Sequence, residues 1–307
     1  IKGDIKEMDW MDVSGWVSKG GAELGTNRST PQQKDFEIIA HRLEDEKIDG
    51  LLIIGGWTGY QTAYQLITLR DTYPAFNIPL ICVPATINNN LPGTQASIGA
   101  DTALNSVMLD VDKLKESAMA TRRCYVVEVM GRDCGYLALM SGLATGAERV
   151  YLPEEGITLD DLRDDVAQLK QGFAVGKRLG LMIRGENADP IYTTPFLVAL
   201  FEKEGGGLFD VRQVILGHVQ RGGRPSPFDR IQATRLATRA LVTLIEAAEQ
   251  GSDAVVALGR QAGQIQVTDL TQLPDLIEPD VQRPKEQPWL VLPPVARVMA
   301  QPEPQLP

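Results

Sequence analysis

Short, continuous apolar runs separated by amphipathic stretches constrain this chain more than any other feature. The runs are Leu51 to Ile54, Pro79 to Val83, Cys124 to Met130, Val150 to Leu152, Leu179 to Ile183, Val211 to Val219 and Ala254 to Leu258. None alternates polar with apolar residues, so each predicts a strand covered on both faces, as in a parallel sheet. Helical patterns lie between them. Phe36, Ile39, Ala40 and Leu43 recur at helical spacing behind Thr30, read as an N-cap, and Pro31, read as a first-turn residue. Ala103, Val107, Leu109, Val111 and Leu114 predict a second helix. Thr158 with Asp161 forms a capping-box pattern opening a helix to about Gly176, and Ile231 to Ala248 predicts a long one. Strand–helix alternation of this kind predicts a doubly wound α/β fold, with ligands beyond the carboxyl ends of the strands.

Composition narrows the partners. The chain has 307 residues, 43% hydrophobic and 23% charged, which suits a soluble protein with two core-bearing lobes. A net charge of −10 argues against nucleic-acid or membrane-surface binding. No apolar run approaches the roughly 20 residues of a membrane span, and no signal peptide is present. Cys82, Cys124 and Cys134 lack metal-ligand spacing and predict reduced, mostly buried thiols in a cytoplasmic protein. The chain opens at Ile1 without a Met, which reads as a fragment. After about Pro274 it turns rich in Pro and Gln. Trp289, Leu290 and Val291 are expected to dock on the body, and 301–307 to form a frayed tail.

The unusual residues follow the strands. Leu216 through Arg230, reading LGHVQRGGRPSPFDR, joins a strand end, a paired-glycine turn and a helix start. A lone His218 would read as a satisfied core histidine, and a lone arginine as a solvated or ion-paired surface residue. Here arginines are dense, and even spacing on one strand would place Arg212 and His218 on one face. Val127 through Arg132 reads VEVMGR, Pro84 through Asn90 reads PATINNN, and Gly185-Glu186 ends another strand.

In order and spacing these motifs resemble the 6-phosphofructokinase family, from the first residues to about Arg297. The resemblance implies two Rossmann-like lobes with mostly parallel doubly wound sheets, the site lying between them. It assigns 1–99 plus 220–270 to a nucleotide-type lobe and 100–219 plus 271–300 to a sugar-phosphate lobe. Arg123 and Arg212 match arginines that grip a sugar 6-phosphate from a neighbouring subunit. Met130, Gly131 and Arg132 match the loop that follows the sugar. Glu186 matches the carboxylate accepting sugar hydroxyls, and His218 and Arg221 match the remaining ligands. Arginine forks suit phosphate oxygens. Thr86, Asn88 and Asn90 belong to the same pocket. Gly56 and Arg28 lie on the phosphate side, where Arg28 reads equally well as a loop arginine before Thr30. Lys19 and Glu148 match nucleotide-effector positions of bacterial members, although a surface Lys and Glu is the simpler reading.

The transfer chemistry reads differently. Phosphoryl transfer to a hydroxyl needs an orienting carboxylate and a metal. Active members carry Asp, Asn, Asp where this chain has Asn88, Asn89 and Asn90, and an acid where it has Trp57. A neutral amide takes no proton at neutral pH and is a poor partner for Mg²⁺. The resemblance is therefore to the C-terminal regulatory half of tandem eukaryotic-type enzymes. That implies a fructose phosphate effector such as fructose 2,6-bisphosphate and no cofactor in this half. ATP and Mg²⁺ would serve a catalytic half of the same chain, and the whole would be a homo-oligomer, dimer or tetramer. Arg132 and Arg221 depart towards the bacterial pattern, which leaves the identity of the fructose phosphate open. Ala85 stands where pyrophosphate-dependent members carry Lys. The alternative is an active ATP-dependent subunit with an atypical centre.

Overall fold

The computed structural model describes residues 5–299, so the expected tail at 301–307 lies outside the described residues. Two four-stranded sheets form the frame. The first is built from β1 (Leu51–Gly55), β2 (Leu80–Pro84), β7 (Val255–Gln261) and β8 (Gln264–Asp269), in that spatial order. The second takes β3 (Arg123–Val129), β4 (Arg149–Tyr151), β5 (Leu179–Gly185) and β6 (Asp210–Ile215) in the order β4-β5-β3-β6. Every pairing is parallel except the β7–β8 hairpin.

Both faces of each sheet are covered, which is why the strands read as unbroken apolar runs. On the first sheet, α1 (Phe36–Asp45) and α2 (Trp57–Thr68) bury Phe36, Tyr60 and Leu66 against one face. The long α7 (Pro227–Glu249) covers the other face through Leu236 and Ala240. On the second sheet, α3 (Ala100–Thr121) and α4 (Tyr136–Thr145) pack with Val107, Val111 and Leu137. Its opposite face meets α5 (Leu159–Ala174) and α6 (Thr194–Gly205) through Leu162, Phe173 and Phe201. The chain crosses between sheets through α3 and returns through α7.

Several expectations are corrected. The run from Val211 is a strand only to Ile215, because Leu216 turns helical and a 3₁₀ turn follows at Gly217–Arg221. His218 therefore does not share a strand face with Arg212. Thr30 and Pro31 do not open the first helix. A 3₁₀ turn at Gln33–Asp35, boxed by Gln32 and Asp35, leads into α1 instead. Leu109 is 64% exposed, since it lies off the stripe made by Ala103, Val107 and Val111. Trp289 is buried edge-on to Tyr136 and Leu290 packs beside it, but Val291 points outward. The β8 strand, at a sheet edge, alternates polar residues with Ile265 and Val267 and carried no continuous apolar run. The Thr158–Asp161 capping box forms as read. The three thiols are free and buried, and burial pushes that of Cys82 up to about 12.

Candidate functional site

Residues from both sheets meet at the carboxyl ends of the strands, where backbone and side chains leave the regular ladder. Beyond β3 the chain turns through Met130, Gly131 and Arg132. Gly131 has φ 156°, and a Cβ there would sit 2.2 Å from the Cys134 carbonyl oxygen, so only glycine fits. The Met130 N–H donates to Gln220 Oε1 (3.1 Å), and Gln220 Nε2 donates to the Gly217 carbonyl (2.9 Å). Buried Gln220 thus ties the turn after β3 to the turn after β6.

Glu186 follows β5. Its Oε1 accepts from the backbone N–H groups of Arg132 (2.5 Å) and Gly131 (3.3 Å). Behind it lies Arg184, fully buried, ion-paired with Glu128 at 3.1 Å. Arg184 also donates to the carbonyls of Glu186 (3.0 Å), Asp189 (2.6 Å) and Tyr192 (3.1 Å). Burial lowers its pKa, but Glu128 opposes the shift. One guanidinium therefore sets the path of the loop carrying Glu186. Sequence reading missed Arg184 and Gln220, and the only hint was a charged or amide residue inside an apolar strand or strand end.

Arg221 ends the 3₁₀ turn. Burial depresses its pKa, the like charges of Arg28 and Arg132 depress it further, and Glu186 raises it. Arg28, Arg132 and Glu186 thus lie near enough to Arg221 to act on its charge, a local excess of positive charge in an acidic chain. Arg28 is carried on the loop before α1, its carbonyl 3.5 Å from the Thr58 hydroxyl. His218 is exposed on the same 3₁₀ turn as Arg221.

The first sheet supplies the opposite wall. Gly55 ends β1, Gly56 packs beside Thr86, and Trp57 opens α2. The Trp57 ring packs against the first lobe's core, and its buried Nε1 has no partner. In the loop after β2 the Asn88 N–H donates to Thr86 Oγ1 at 3.3 Å. Asn89, at φ 53°, accepts from the Ser97 N–H and hydroxyl (2.7 and 2.8 Å) and donates to the Gln95 carbonyl (2.9 Å). Asn90 Nδ2 donates to the Gln282 carbonyl at 2.7 Å, while its buried Oδ1 lacks a partner. An indole and two neutral amides form a donor set that does not fit Mg²⁺. Among the described residues no group of three or more His, Cys, Asp or Glu side chains is placed to hold a metal.

Arg123 and Arg212 are elsewhere. Arg123 begins β3 and lies opposite Asp210 of β6, a strand length of roughly 20 Å from Val129, where the Met130 turn begins. Asp210 Oδ2 lies 3.8 Å from Arg123 Nε and 3.5 Å from Arg212 Nη2. These two arginines form a second cluster at the amino ends of the strands. Lys19 pairs with Glu23 at 3.0 Å, and Glu148 pairs with Lys177.

Two lobes of mostly parallel sheet, with Arg132, Glu186 and Arg221 beyond the carboxyl ends of their strands, define a doubly wound α/β protein. More narrowly, the chain belongs to the phosphofructokinase family, whose model, described as "Phosphofructokinase", matches residues 1–244. It is 41% identical over 315 residues to an ATP-dependent 6-phosphofructokinase of Schistosoma mansoni, covering 98% of this chain and 40% of that protein. A Dictyostelium discoideum protein of the same name is 43% identical over 293 residues, covering 94% and 35%. The structure of phosphofructokinase from Saccharomyces cerevisiae superposes with a TM-score of 0.92 at 36% identity, covering 97% of this chain and 41% of that one. The chain thus spans about two-fifths of the length of these relatives. No helix among the described residues is long and apolar enough to cross a membrane.

Proposed function

We propose that this chain is a fructose-phosphate-binding, non-transferring half of a longer ATP-dependent 6-phosphofructokinase, the glycolytic enzyme that phosphorylates fructose 6-phosphate. One observation carries the reading. Glu186 holds the turn that carries Arg132, and Arg28 and Arg132 lie near enough to Arg221 to act on its charge, while the positions that would orient a hydroxyl or hold a metal are Asn88, Asn90 and Trp57. Guanidinia bind phosphate whether or not chemistry follows. Glu186, oriented by two backbone N–H groups, accepts sugar hydroxyls. The effector is a fructose phosphate such as fructose 2,6-bisphosphate, and no cofactor binds this half. ATP and Mg²⁺ act at the catalytic half of the same chain, in a cytoplasmic homo-oligomer. The separation of Arg123 and Arg212 from the cleft supports a site completed by a second subunit. Binding biases the assembly only through unequal affinity for its quaternary states.

Titration of fructose 2,6-bisphosphate and fructose 6-phosphate into the assembled protein tests this. Saturable binding that weakens in Arg221→Ala is expected, and absence of binding by the intact oligomer overturns the proposal. The competing reading, an active subunit with an atypical centre, requires turnover of fructose 6-phosphate that survives without a carboxylate at 57, 88 or 90.

A further inference from the structure

Gln282 belongs to neither strand-end motif, yet it touches both walls of the cleft. It lies in the loop closed by the bridge between Ile277 and Pro284, at the start of a strap that continues to Trp289. Its main-chain carbonyl accepts from Asn90 Nδ2 at 2.7 Å. Its side-chain Oε1 accepts from Arg132 Nη1 at 2.9 Å. The strap is itself anchored on the loop after β3. Arg283 donates to the Asp133 carbonyl (3.2 Å) and pairs with Glu278 at 2.8 Å. Between the strap and the loop after β2 lies a cavity of about 230 Å³ lined by Asn89, Leu91, Gln95, Pro284, Gln287 and Trp289. Apolar packing therefore does not fix the spacing there, and the polar bonds do.

From this geometry we infer that Gln282 is a positioning residue of the cleft, holding Arg132 of one lobe and Asn90 of the other in a single arrangement. A backbone carbonyl can only accept, so it must face the amide nitrogen of Asn90. That makes the amide at 90 a requirement of the strap. An aspartate there would oppose two acceptors at hydrogen-bond distance. Asn88, whose contact is a backbone one to Thr86, carries no such requirement.

The inference rests on the proposed fructose-phosphate site, but its test separates the two. Gln282→Met keeps the bulk and removes the side-chain acceptor for Arg132; Gln282→Glu keeps that acceptor, and the main-chain carbonyl facing Asn90 remains in both. In the full-length protein without ligand, amide hydrogen exchange of 130–135 is expected to rise in Gln282→Met and to return towards wild type in Gln282→Glu, and exchange of 86–91 to rise in Asn90→Asp, which removes the donor to that carbonyl. Fructose 2,6-bisphosphate should bind Gln282→Met about tenfold more weakly, and Gln282→Met with Arg132→Ala no more weakly than Arg132→Ala alone, because a positioning residue acts through its partner. Unchanged exchange in Gln282→Met overturns the inference, as does additivity of the two substitutions in binding. If exchange behaves as expected and wild type binds no fructose phosphate, the positioning role stands and the proposed ligand falls.

Discussion

Asn88, Asn89 and Asn90 share a loop but serve different ends. Asn89 is buried at φ 53° and makes three side-chain hydrogen bonds, to Ser97 twice and to Gln95. Replacing it by alanine strands buried polar groups and forces a residue poorly suited to left-handed backbone. Asn89→Ala should therefore cost roughly 2–4 kcal/mol in denaturant unfolding. Asn88 is less constrained, yet Asn88→Asp should not produce kinase turnover in a coupled ATP assay, because Trp57 still occupies the second acidic position. Arg221→Ala should weaken fructose-phosphate binding by about ten- to a hundredfold, the scale of a charge-assisted hydrogen bond in a partly buried cleft. The loss of acids was legible in sequence because it needed only residue identity. The Asn90–Gln282 bond was not, because it joins positions 192 residues apart through a backbone oxygen.

At the scale of elements, strand ends were legible where an apolar run stops at a glycine pair or a polar loop, as at Gly55 and Gly185. They were not legible where the apolar run outlasts the extended backbone. Leu216 and Val219 look like strand, but the chain turns at Leu216 and Gly217 takes φ 54°. Helix α5 carries a prediction of its own. Burial pushes the Asp165 carboxyl up to about 6 from an ordinary 3.8, with Arg149 and the Tyr151 hydroxyl opposing the shift. The folded state then holds this proton more tightly than the unfolded state. The contribution is fully present below about pH 4 and is lost as pH rises through about 6. Between pH 4 and 7, wild type should lose on the order of 2 kcal/mol more stability than Asp165→Asn, whose amide oxygen still accepts from Tyr151. Parallel pH profiles of the two proteins would expose the opposite slope if the carboxyl were held ionised.

For the whole molecule, the α/β class followed from strand–helix alternation, and the two lobes from the length of the chain and the family resemblance. What sequence could not supply was distance. Arg123 and Arg212 read as phosphate ligands supplied to a neighbouring subunit, and in this chain they sit at the far end of the sheet from Glu186. If a second subunit brings them to the cleft, affinity for a fructose phosphate should fall on dilution into the dissociated state. Arg212→Ala should then lower affinity only in the assembled protein, as sedimentation paired with titration would show. The central claim is that the cleft holds a sugar phosphate and does not turn it over. Calorimetric titration of fructose 6-phosphate into the assembled protein, with its catalytic half inactivated and ATP and Mg²⁺ present, reads both properties in one trace. The account predicts heats that saturate with site occupancy and return to baseline after each addition. Sustained heat flow from turnover, or no saturable heat at all, would contradict it.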